Sequence, residues 1–92
     1  MKRVDEHVLL ITYERPEVAN AKNTKMGEEQ REVFNSLYVD QQGVRCVVLT
    51  GRGKHFSAGG DLKERKGMTD AQWQRQHAIF EQGTFAMKNC PV

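Results

Sequence analysis

The stretch Val44-Arg45-Cys46-Val47-Val48-Leu49-Thr50, with the glycine-rich run behind it, constrains this chain more than any other feature. The stretch is β-branched and nearly continuously apolar. That is the composition of a strand buried on both faces. Gly51, Gly53, Gly59 and Gly60 follow it within ten residues. Glycines at that density after a buried strand mark a loop whose backbone passes close to something.

The segments on either side fit an alternation of strand and helix. Val8-Leu9-Leu10-Ile11 is a short apolar run of strand formers, which predicts a strand from about His7 to Tyr13. Lys2-Arg3-Val4 is placed to pair with it across an Asp5-Glu6 turn, and Arg15-Pro16 ends it because proline cannot continue a ladder. After a polar loop, Asn23 or Thr24 offers an N-cap. Met26, Val33, Phe34, Leu37 and Tyr38 then recur at helical spacing, with Glu28, Glu29, Arg31 and Glu32 on the other face, up to about Asp40. Gly43 sits just past that end, while Gly27 inside the helix is mildly unfavourable. Strand, helix and strand joined this tightly predict a crossover unit. Beyond the glycine loop, Asp61 and Glu64 have the form of a capping box. Thr69 and Gln72 form another, opening a helix from about Asp70 to Lys88 that Pro91 stops. Its predicted stripe is Trp73, Phe80, Thr84 and Met87, with Ile79 alongside.

Composition narrows the class. With 92 residues the chain holds one domain at most, and a hydrophobic share of 38% is polar for one that must stabilise itself alone. It fits a piece that leans on more chain or on a partner. A net charge of +2 does not mark a nucleic-acid or membrane protein. No apolar run approaches the ~20 residues of a membrane span, and the start lacks a secretory segment. A cytoplasmic location follows as the expectation, with Cys46 and Cys90 as reduced thiols.

Chemistry concentrates in the glycine loop. No window fits a Walker loop. Gly51 and Gly53 begin a dinucleotide motif, but its last position is Phe56. The Gly59-Gly60 pair lies between a strand and a capped helix start, where free N–H groups suit an anion or a developing oxyanion. A flexible turn satisfies the same local pattern. His7, His55 and His77 lack metal-ligand spacing and read as surface or packing residues, and no metal site is expected. Trp73 and Phe80 read as core, and Lys63, Arg65 and Lys66 as a solvated basic turn able to meet a phosphate.

Four segments, in order and spacing, carry a resemblance: Glu14-Arg15-Pro16-Glu17; Asn20-Ala21; Val44 through Gly51; and Phe56-Ser57-Ala58-Gly59-Gly60-Asp61-Leu62-Lys63-Glu64. Together they resemble the crotonase superfamily of enoyl-CoA hydratases and isomerases, whose pattern runs R-P-E, N-A-L, V-V-L-T-G, F-[CS]-A-G-[AG]-D-L-K. The closing Lys88 to Val92 looks like the lead into that family's next core strand. The resemblance implies an α/β fold of the crotonase-like β-β-α kind. Residues 1–92 would form its N-terminal portion, in the order strand, helix, strand, glycine loop, helix. It implies an acyl-CoA thioester as substrate, with coenzyme A entering only as part of it and no separate cofactor. Gly60 would supply one backbone N–H of an oxyanion hole. Asn20, Ala21 and Lys22, with Ala58, Gly59, Gly60, Asp61, Leu62 and Lys63, would line the coenzyme A side. It also implies a homo-oligomer, trimeric or hexameric.

The chain departs from the pattern at Lys22, where the family has leucine, and at Ala19, where a basic residue is common. The family's second oxyanion glycine and its catalytic carboxylates match positions beyond Val92, and Asp61 and Glu64 read as caps rather than bases. Two functions follow as expectations: a hydratase- or isomerase-type protein whose 92 residues are inactive alone, or a catalytically dead remnant serving coenzyme A binding or subunit assembly. The reaction type and the acyl group stay open.

Overall fold

A computed structural model describes Met1–Val92 in full. Three strands form one sheet in the order β1-β2-β3: β1 is Lys2–Arg3, β2 Val8–Tyr13 and β3 Cys46–Gly51. β1 runs antiparallel to β2, with Arg3 opposite Leu9, and β3 runs parallel to it, with Val8 opposite Cys46 and Tyr13 opposite Gly51. Two long helices, α1 (Thr24–Val39) and α3 (Asp70–Lys88), and a single-turn helix α2 (Leu62–Lys66) complete the chain.

The local signals act as chemistry requires. Asn23 adopts extended backbone and its side chain accepts the Met26 N–H at 3.0 Å, which starts α1. Thr69 and Gln72 form the reciprocal capping box at the head of α3. The core forms where both long helices meet one sheet face. Leu9, Phe34, Leu37, Val44 and Ala86 are buried together, flanked by Ile11, Val33, Val47 and Met87. Burying a side chain such as Phe34 contributes on the order of 2–3 kcal/mol.

Four expectations are corrected. β3 lies at one edge of the sheet, and it is not buried on both faces. Val8, Leu10, Thr12, Cys46, Val48 and Thr50 share the face opposite the helices, and none is buried; Val48 is 44% exposed. An apolar strand satisfies a two-faced burial pattern only when layers lie on both sides, and here helices cover one. In α3 the inward residues are Gln76, Ile79, Gly83 and Ala86, whereas Trp73 is exposed and stacks on His77, their ring centroids 5.3 Å apart. The stripe shifts because α1 approaches closely. A methyl group on Gly83 would stand 3.5 Å from the Arg31 backbone, so glycine holds the close approach there. Tyr38 is exposed rather than part of the α1 face. Finally, Asp61 caps α2, but Glu64 does not complete a box with it. The Asp61 N–H donates instead to the Lys22 carbonyl at 2.9 Å, and Glu64 reaches α1.

The shape is a plate 42 × 29 × 15 Å. Its radius of gyration is 14.0 Å, where a compact chain of this length has about 12 Å. Its accessible surface is 6465 Å², against roughly 5,400 Å² for a folded monomer of 10.5 kDa. One sheet layer and one helix layer leave that excess.

Candidate functional site

The site is built where the turn after β2 meets the glycine loop after β3. Ala19 and Asn20 both take left-handed backbone, with φ of 54° and 57°. Asparagine tolerates that conformation better than most residues. Its side chain holds the strain in place: Oδ1 accepts the Arg15 N–H at 2.8 Å, and Nδ2 donates to the carbonyls of Arg52 at 2.9 Å and His55 at 2.6 Å. The Asn20 carbonyl accepts the Ser57 hydroxyl, and the Ala19 carbonyl accepts the Ala58 N–H, both at 2.9 Å. Asn20 therefore ties the two loops together from a position 0% exposed. It does not face a ligand with its side chain, because every polar atom of that side chain is already used. Ala21 is buried beside it.

Past this knot the loops pair like two strands. The Lys22 N–H donates to the Gly59 carbonyl at 2.6 Å and the Asp61 N–H to the Lys22 carbonyl at 2.9 Å, a parallel bridge of Lys22 with Gly60. Successive backbone groups of an extended segment point to opposite sides. The Gly60 N–H is therefore directed away from Lys22, and it has no acceptor within the chain. The Gly59 N–H is taken by the Ser57 hydroxyl at 3.2 Å. Gly59 itself has φ of 96°, a conformation that side chains rarely tolerate. The free donor is thus fixed by the bridge, and not by the start of α2, which is only five residues long.

Gly60 lines a cleft of about 300 Å³. Phe56 and Phe80 supply its apolar walls, Lys22 and Gln30 its polar side, and Gly27 of α1 its floor. A methyl group on Gly27 would collide with the Phe80 ring, which explains a glycine that costs the helix stability. Sequence reasoning missed Gly27, Gln30 and Phe80 as part of the site; the misfit glycine was the available signal. A roomier groove of about 710 Å³ runs along α1 and α3, past Arg31, His77 and Lys88. It lies between helices whose backbone groups bond internally, so it offers no free main-chain donor.

The carboxylates of Asp61 and Glu64 are already committed. Asp61 accepts the N–H groups of Lys63 and Glu64 and pairs with Arg15 at 3.0 Å. The hydrogen bond from the Arg15 side chain, and then that from the Glu64 N–H, hold its carboxyl below the usual carboxylate range. Glu64 Oε1 accepts the Thr24 N–H at 2.9 Å, the Thr24 hydroxyl at 3.0 Å and Gln76 Nε2 at 2.6 Å. Gln76 Oε1 accepts Arg65 Nε at 3.2 Å, so Arg65 belongs to this seam and is not a free basic turn. Ala58, Leu62 and Lys63 are exposed, and none of the three lines the cleft. No group of histidine, cysteine, aspartate and glutamate is arranged to hold a metal, and no helix is long and apolar enough to cross a membrane.

This geometry has close counterparts among known proteins. The enoyl-CoA hydratase/isomerase family model matches residues 3–92. The solved enoyl-CoA hydratase of Bacillus anthracis superposes with a TM-score of 0.90 at 30% identity, covering 98% of this chain and 35% of that one. The enoyl-CoA hydratase of Mycobacterium smegmatis gives 0.89 at 33% identity, covering 99% and 35%. The 1,2-epoxyphenylacetyl-CoA isomerase of Escherichia coli is 35% identical over 65 residues, 71% of this chain and 24% of its own length. The chain thus spans between a quarter and about a third of these relatives. A match from Arg3 to the final residue, together with superposition of nearly the whole chain, fixes the classification. The chain belongs to the enoyl-CoA hydratase/isomerase family and has its crotonase fold.

Proposed function

We propose that this chain binds an acyl-CoA thioester and that the Gly60 N–H is one donor of an oxyanion hole for the thioester oxygen. One observation carries the reading: the Gly60 N–H lacks an acceptor, its backbone is held by the Lys22 bridge, and Gly60 lines a cleft with aromatic walls. A fixed donor aimed where negative charge develops strengthens its bond as an enolate-like state forms, with no reorganisation. Coenzyme A enters as part of the substrate. Lys22 and Gly59 border the cleft.

The 92 residues do not supply the rest of a hydratase or isomerase. Proton transfer needs a carboxylate within reach of the substrate. Asp61 and Glu64 are both bound into the seam behind the cleft, so neither serves. Assayed alone, the chain is expected to show no loss of conjugated enoyl-thioester absorbance. A version extended to its relatives' length is expected to turn over. In it, Gly60→Pro deletes the N–H and lowers turnover by about a hundredfold or more. Glu64→Gln weakens the seam and shows chiefly as a lower melting temperature. Undiminished turnover in the Gly60→Pro protein would overturn the assignment.

A further inference from the structure

The cleft holds a second unneutralised donor. Lys22 Nζ donates to Gln30 Oε1 at 3.1 Å and lies 5.1 Å from the centre of the Tyr13 ring. Tyr13 in turn donates its hydroxyl to the same Gln30 oxygen at 2.9 Å. These partners are neutral: they aim the ammonium and leave its charge uncompensated. No carboxylate lies within 4.0 Å of it. The carboxylates on the adjoining α2 are occupied, Asp61 by Arg15 and Glu64 by Thr24 and Gln76. A second cation stands behind the donor, since a methyl group on Gly60 would come within 2.6 Å of Arg65 Cζ. Arg65 bonds only a neutral amide, through Nε. The cleft is therefore apolar-walled, cationic and without a free carboxylate.

We propose that Lys22 is a specificity-determining residue, and that the cleft selects acyl thioesters whose acyl group carries a carboxylate. The inference rests on the acyl-CoA reading above. Lys22 and Gly60 are bridge partners, so their backbones lie about 4.8 Å apart. Gly60 and Lys22 line the same cleft, so a thioester held on the Gly60 N–H shares that cleft with the Lys22 ammonium. The phosphates of coenzyme A are a whole pantetheine arm away. A neutral acyl chain leaves the ammonium partly desolvated and unpaired. A carboxylate pairs it through a charge-assisted hydrogen bond.

The test measures binding to the full chain by calorimetry with glutaryl-CoA, pentanoyl-CoA and free coenzyme A. Glutaryl-CoA is expected to bind on the order of tenfold more tightly than pentanoyl-CoA, which matches it in length. Lys22→Met brings glutaryl-CoA down to the level of pentanoyl-CoA, and Lys22→Arg retains a preference. Far-ultraviolet circular dichroism checks that the variants fold, and the preference of the unaltered chain requires no variant. Equal binding of the two thioesters overturns the inference and leaves the acyl-CoA reading standing. A Lys22→Met loss shared by free coenzyme A also overturns it, by placing Lys22 on the phosphates. Absence of binding by all three ligands overturns both.

Discussion

The helix-covered core and the seam between the loops hold this chain together by different means. In the core, Leu9, Phe34, Leu37, Val44 and Ala86 share one apolar contact, and any of them is replaceable by a residue of similar volume at modest cost. In the seam, Asn20, Arg15, Asp61, Thr24, Glu64 and Gln76 join segments far apart in sequence through bonds to particular atoms. No buried side-chain polar atom there lacks a partner. The core is non-directional and sets how firmly the layers adhere. The seam is directional and sets where the Gly60 N–H points. A site that depends on one backbone donor belongs on the second kind of structure.

The largest expected effect strikes the core. Phe34→Ala is expected to lower stability by about 3–5 kcal/mol, through lost burial and the cavity left behind. Urea denaturation measures it. If the two regions are separable, substrate binding per folded molecule stays unchanged, and a matching loss of affinity would break the distinction.

Asn20→Ala comes next, at about 2–4 kcal/mol, because the Arg15 N–H and the carbonyls of Arg52 and His55 lose buried partners. Here binding is expected to fall along with stability, and amide exchange at Lys22 and Ala58 to quicken. Exchange rates that stay slow would mean that the bridge, and not Asn20, fixes the loop.

A smaller effect is set by pH. The Asp61 carboxyl is held low by Arg15 and by the N–H groups at the head of α2. Its contribution is present above the ordinary aspartate value of about 3.9 and is lost as pH falls through the depressed native value. Melting temperature is therefore expected to decline as acid is added across that window, and Asp61→Asn to flatten the decline. An identical acid profile in the variant would remove Asp61 from the seam. Smallest of all, Tyr38→Ser on the exposed side of α1 is expected to change stability by no more than about 0.5 kcal/mol. A larger loss would show that the core extends further than Leu37.

The sequence by itself determined the elements and their caps. Asn23, Thr69 and Gln72 act through atoms a few residues away, so their roles follow from spacing alone. The motif series likewise located the loop that carries Gly60. Which way each face turns was decided by tertiary structure. Val48 is apolar yet 44% exposed, and Trp73 faces outward while Gln76 is buried. A residue's burial depends on which layer lies opposite, and periodicity describes a face without saying what covers it. The same holds for Asn20 and Glu64. Their partners lie 32 to 40 positions away along the chain, at Arg52, His55 and Thr24. Only the folded arrangement brings those atoms within reach, and only there do a marginal helix glycine, Gly27, and a strained turn become the supports of a cleft.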